Sequence, residues 1–126
     1  MLGELEANGK TILCDMEAGI GTVLRLQPGG TDLVLIVAEP SAKAVEVAGR
    51  SARIAASRAR VLVIANKVSG EEDLDLITRG VGDHEVVSVP ADPEVERADR
   101  DGLAPIDVAP DAPAVRALVA LARRLG

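Results

Sequence analysis

Val61-Leu62-Val63-Ile64-Ala65-Asn66-Lys67-Val68 is an apolar run without a break until it reaches an amide and an ammonium group. A strand with one wet face alternates apolar and polar residues. A run without alternation marks a strand covered on both faces, as in a parallel sheet flanked by helices. Leu33-Val34-Leu35-Ile36-Val37-Ala38 has the same character, and Thr11-Ile12-Leu13-Cys14 is a shorter version that stops at Asp15. Residues 85–89 add a fourth, shorter expected strand.

Helical signals lie between these runs. Ser41 is placed to cap a helix reaching about residue 58, with Val45, Ala48, Ala52 and Ala55 on one face. Ser69 and Glu72 have capping-box spacing ahead of a helix that Gly80 is expected to close. Asp92 before Pro93 reads as an N-cap followed by proline at the first helical position, which makes Pro90-Ala91-Asp92 a tight strand-to-helix loop. From Asp111 onward Val115, Leu118, Val119, Ala122 and Leu125 form an apolar stripe, with Arg123 and Arg124 at the end that favours cations. Leu2 and Leu5 ahead of Gly9 predict a short N-terminal helix, and residues 16–31 form a connecting segment that ends in Pro28-Gly29-Gly30. Strand and helix in alternation predict an α/β fold, a Rossmann-like three-layer parallel sheet with helices on both faces.

Composition narrows the function. At 126 residues the chain fits one domain, 1–126, able to bury roughly two-thirds of its unfolded surface. A net charge of -6 argues against nonspecific binding to nucleic acid or anionic membrane, which needs clustered Lys and Arg. The sequence has no Phe, Tyr or Trp, so the core is built from aliphatic side chains and no aromatic platform exists for stacking bases. The single Cys14 lies inside an apolar run and is expected to be a small buried hydrophobe. The first ten residues carry Glu4 and Glu6 and lack the apolar segment of a signal peptide, and no stretch reaches the roughly 18 apolar residues of a membrane span. A cytoplasmic location is expected.

Chemistry concentrates where the expected strands end. Ligands of open α/β sheets collect at the carboxyl ends of strands, so Asp15 is placed to hold a Mg-phosphate group through the ion's water shell. Gly19 would let a backbone N–H approach a terminal phosphate closely. A strand-ending Asp also serves turns, and both readings of Asp15 stand at this stage. Asn66 offers a donor and an acceptor side by side, which match the edge of adenine. Guanine readers place a carboxylate two residues beyond the Lys, where this chain has Ser69. The alternative is that Asn66 only ends its strand. The backbone of Pro90, Ala91 and Asp92 is placed to border a base or ribose. Glu17 is a candidate to polarise water. His84, between Asp83 and Glu85, reads as a solvated turn residue, and Glu71-Glu72-Asp73 as an acidic first turn that the helix dipole explains.

The order of these pieces resembles the MinD/ParA class of P-loop ATPases, and most closely its CooC-type subgroup, linked to maturation of carbon monoxide dehydrogenase. Asp15-Met16-Glu17-Ala18-Gly19 is similar to that family's Walker B and switch segment, residues 33–41 to its strand and Glu-Pro-Ser turn, Asn66-Lys67 to its adenine-reading pair, and Pro90-Ala91-Asp92 to its late base-side loop. The resemblance implies ATP and Mg as cofactors, with Asp15 the Mg-associated carboxylate. It also implies a Gly-rich phosphate loop with two lysines, which these 126 residues do not display. Gly9-Lys10-Thr11 imitates the end of such a loop, but Glu4 stands at its first glycine position, and the tripeptide leads into a strand instead of out of one. Gly21-Thr22 replaces the family's Glu-His after the switch, and the Cys-x-Cys pair of nickel-linked members is absent. The expectation is an incomplete P-loop fold, the C-terminal portion of such an ATPase, that binds ATP weakly and does not hydrolyse it alone. It would act as a homodimer or with a partner that supplies the phosphate loop. The alternative is a noncatalytic protein-interaction module on the same scaffold. The phosphate-loop strand would lie between residues 12–14 and 33–38, and its absence is expected to leave a gap there or to force those strands together.

Overall fold

The structure, a computed structural model, describes residues 9–17 and 19–126. Three parallel strands form one sheet in the order β1 (Leu33–Ala38), β2 (Arg60–Val68), β3 (Glu85–Pro90). β1 pairs with β2 from Leu33 opposite Arg60 to Ala38 opposite Ala65, and β2 pairs with β3 from Leu62 opposite Glu85. The connections are helical: α1 (Ile20–Leu24) before β1, α2 (Ala42–Ala55), α3 (Glu71–Val81), and after β3 the series α4 (Pro93–Arg100), α5 (Pro105–Val108) and α6 (Pro113–Leu125).

The unbroken apolar strands supply a core to each face of the sheet. Val34, Ile36, Val63 and Ala65 point to one side, against Val45, Ala48, Ala52 and Ala55 of α2 and Ile77 and Val81 of α3. The alternate residues Leu33, Leu35, Leu62, Ile64, Val87 and Val89 point to the other, against Val95 of α4 and Ala114, Ala117, Leu121 and Leu125 of α6. Three layers follow, as the alternation of runs and stripes predicts.

Helix ends show where local signals hold and where they give way. Ser41 caps α2 as expected, its hydroxyl accepting from the Ala44 N–H at 3.2 Å. That helix stops at Ala55, three residues short of the expected end, and Arg58 instead donates to the Leu26 carbonyl at 3.0 Å. Ser69 and Glu72 do not form a capping box: Gly70 is the N-cap of α3, and the Ser69 N–H donates to Asp73 Oδ2 at 2.8 Å. Gly80 does not close α3 either. Gly82, with φ 74°, does so, in a conformation that costs glycine nothing. Gly80 lies inside the helix, where any Cβ would overlap Val45, and a Cβ on Gly49 would overlap the Gly80 carbonyl. The two glycines let α2 and α3 approach closely.

The expected first strand is the largest correction. Residues 11–17 carry no strand and are exposed, Leu13 at 85%. Three apolar residues have little to gain as a strand unless a neighbour satisfies their backbone groups, and among the described strands none pairs with them. Neither the gap nor the forced pairing occurs: β1 stands at the edge of the sheet. Cys14 is exposed, not buried as its apolar neighbours suggest. The N-terminal helix expected from Leu2 and Leu5 lies outside the described residues. The α6 stripe is rotated too. Ala114, Ala117, Leu121 and Leu125 face the sheet, while Val115, Leu118, Val119 and Ala122 line a groove of about 310 Å³ with Pro105 and Ile106. Among the described residues no helix is long and apolar enough to cross a membrane.

Candidate functional site

Because the strands are parallel, their carboxyl ends share one rim, and three turns meet there. β1 ends in Glu39-Pro40-Ser41, β2 in Asn66-Lys67-Val68, and β3 in Pro90-Ala91-Asp92. The sheet therefore brings together the Asn66-Lys67 pair and the loop at residues 90–92.

The centre of this rim is irregular. Ala65 pairs with Ser88 and Val68 with Pro90, so Asn66 and Lys67 oppose the single residue Val89. Such a bulge kinks its strand and re-aims the side chains it carries. Lys67 is the one non-glycine residue at positive φ among the described residues, at 57°. Left-handed backbone is uncommon for a residue with a Cβ and gathers where function over-determines geometry. The turn is held because the Ala91 N–H donates to the Val68 carbonyl at 2.9 Å.

Lys67 turns its ammonium to Glu39, at 2.9 Å. That hydrogen bond, and then the charge attraction to Glu39, raise its pKa above the ordinary 10.5; slight burial opposes the rise, and Glu96 and Asp99 of α4 add to it. The ammonium thus sits in an acidic surround. Glu39 is the rim residue that reading strand by strand overlooks. Its signal was available: an acid directly after an unbroken strand, one step beyond Ala38, whose partner Ala65 precedes Asn66.

Asp92 is 6% exposed and is bonded at both carboxylate oxygens. Oδ1 accepts from the Glu94 N–H at 3.0 Å, the predicted N-cap, and Oδ2 accepts from the Ala114 N–H at 3.0 Å. The second bond, 22 residues away in sequence, joins the start of α4 to the start of α6. The Asp92 side chain therefore holds structure, and Ala91, which is exposed, leaves the turn's surface free.

Asp15 and Glu17 are exposed in the segment without regular structure. The Glu17 carbonyl accepts from the Thr22 hydroxyl at 2.8 Å, which ties this segment to α1. Gly19, φ 117°, precedes α1 as its N-cap. A concavity of about 280 Å³ lies at the other end of the sheet, lined by Arg53, Arg79, Asp83 and His84 together with Gly49 and Gly82. Two helix C-termini meet there, so their partial negative charge already accounts for the arginines.

No family model matches the sequence. The chain is 30% identical over 102 residues to the carbon monoxide dehydrogenase accessory protein CooC of Rhodospirillum rubrum, an alignment that covers 79% of this chain and 39% of that protein. The two are distantly related, and the chain spans about two-fifths of its relative's length.

Proposed function

We propose that this is a nucleotide-binding protein of the CooC/MinD type that receives ATP at the carboxyl rim of its sheet. The observation that carries the reading is the bulge at the end of β2, which sets Asn66 and the strained Lys67 between the Glu39 turn and the Ala91 turn. The Asn66 amide would meet the N6 and N7 edge of adenine, and the backbone of residues 90–92 would border the base or ribose. Asp15 would hold Mg through its water shell, Gly19 would let its N–H approach phosphate, and Glu17 would orient water.

Charge limits what these residues do alone. A triphosphate needs backbone N–H groups and lysines to offset its charge, and the described rim offers one ammonium beside Glu39, Glu96 and Asp99. Binding would be weak and hydrolysis negligible until a partner supplies a phosphate loop, and nucleic acid is not a ligand. Calorimetric titration with Mg-ATP tests this. Weak binding that Asn66→Ala abolishes, without turnover, is the expected result; micromolar affinity with turnover by the chain alone would refute it.

A second reading, a noncatalytic interaction module, is favoured by the bare apolar edge of β1. It predicts a partner complex indifferent to ATP and to Asp15→Ala.

A further inference from the structure

The bulge at the end of β2 needs more than strand pairing to hold it. Asn66 and Lys67 together oppose Val89, and the ladder resumes only at Val68 opposite Pro90. Lys67 takes φ 57°, which crowds its Cβ against the backbone and which an unconstrained lysine seldom adopts. From the β3 side the turn is tied by the Ala91 N–H, which donates to the Val68 carbonyl at 2.9 Å. The tie on Lys67 itself comes from the opposite side, where Glu39 meets its ammonium at 2.9 Å. Glu39 is in turn fixed, because its carbonyl accepts from the N–H of Ser41 at 2.8 Å and Ser41 caps α2. It stands one step beyond Ala38, the partner of Ala65, so the Lys67 side chain reaches back past the level of Asn66 to meet it.

Asn66 gains from this arrangement. It is half-buried, and among the described residues its amide makes no hydrogen bond while no buried side-chain polar atom lacks a partner, so both its polar atoms are open to solvent. An ammonium only donates, and the carbonyl oxygen of the neighbouring amide is an acceptor it could take. We propose that Glu39 is a positioning residue for Asn66: by holding the Lys67 ammonium it keeps the bulge in its left-handed turn and leaves the Asn66 carbonyl oxygen free to accept from the N6 amine of an adenine base. This role rests on adenine binding at the rim. Glu39 acts through Lys67 and touches no part of the nucleotide. Its contact runs inward from β1 to β2, so a further strand beside β1 would leave it in place.

Titration of the full 126-residue chain with adenosine, followed by NMR at the side-chain amide signals of Asn66, tests this role. Adenosine carries no phosphate, so neither the charge of Glu39 nor a phosphate loop enters the result. Glu39→Met, which removes charge and acceptor together, is expected to raise the dissociation constant about threefold, below the roughly fivefold ceiling of a pair whose side chains are both more than half exposed. The same substitution in a Lys67→Met background is expected to change nothing further, because the ammonium it acts through is gone. Exchange of the two charges, Glu39→Lys with Lys67→Glu, is expected to bring affinity back toward that of the native chain. Glu85→Gln, which breaks the exposed pair of Glu85 with Arg124, is expected to leave adenosine affinity unchanged, so that loss of an ion pair as such is not the cause. Native affinity in Glu39→Met, or an equal loss in the Lys67→Met background, would overturn this role alone. Asn66 signals that adenosine does not move would overturn both this role and nucleotide binding at the rim.

Discussion

The two edges of this sheet are built differently. At β3 the edge is guarded: the strand opens with Glu85 in an ion pair with Arg124 of α6, ends in Pro90, and exposes Ser88 between them. α6 packs against it, and Asp92 fastens the starts of α4 and α6 together at its end. At β1 the edge has six apolar residues and none of these devices. Edge strands are a hazard because their free N–H and C=O groups template further pairing. One sheet that guards one edge and leaves the other apolar is therefore asymmetric in what it offers a partner.

The largest effect on this comparison is expected from removing the fastener. Asp92→Ala would leave two helix N-termini without their shared acceptor and should cost roughly 2 to 3 kcal/mol in urea unfolding. Asp92→Asn, which keeps one carbonyl oxygen, should cost less. A cost below about 0.5 kcal/mol for the alanine would mean that the guarded edge is held by α6 packing alone.

A matched pair of valines is the next test. Val89, 2% exposed on β3, and Val37, 62% exposed on β1, point to the same face of the sheet. Val89→Ala should cost about 2 kcal/mol through lost burial and the cavity left behind, and Val37→Ala within about 0.5 kcal/mol at concentrations too low for association. Equal costs would show that the β1 edge is covered in solution.

The smallest effect is electrostatic and lies at the rim beside β1. The folded-state pKa of Lys67 is raised above the ordinary 10.5 by Glu39, so the stability it contributes is fully present below that value and is lost as pH rises through the folded pKa. Melting of the native chain should therefore fall slightly more steeply above pH 10.5 than melting of Lys67→Met. Parallel curves would mean that the pair contributes nothing, as many exposed pairs do.

Much of the fold was legible because a single physical signal carried it. Residues 33–38 and 61–65 contain nothing polar to hide, and their length and β-branched content favour a strand covered on both faces, although Val37 at the end of the first run is exposed. Asp92-Pro93 announced its cap because that chemistry is local, between residues two apart. Residues 12–14 carried the same signal in a run too short to decide, since a strand exists only where another lies beside it. The α6 stripe was ambiguous for a related reason: the helix is apolar over a wide arc, and which part of it meets the sheet depends on where Asp92 anchors its first turn. At the candidate site Asn66 and Lys67 were readable as strand-end residues. The bulge beneath them and the Glu39 contact were not, because both depend on register against neighbouring strands.

By itself the order of residues determined three of the four strands it predicts, the starts of the helices capped by Ser41 and Asp92, and that no aromatic side chain takes part, since each follows from local pattern and composition. Tertiary structure alone decided that β1 lies at an edge, that Lys67 adopts left-handed backbone and turns to Glu39, and that both oxygens of Asp92 are engaged. The physical reason is distance along the chain: a contact between residues 39 and 67, or 92 and 114, exists only once the sheet has brought them together.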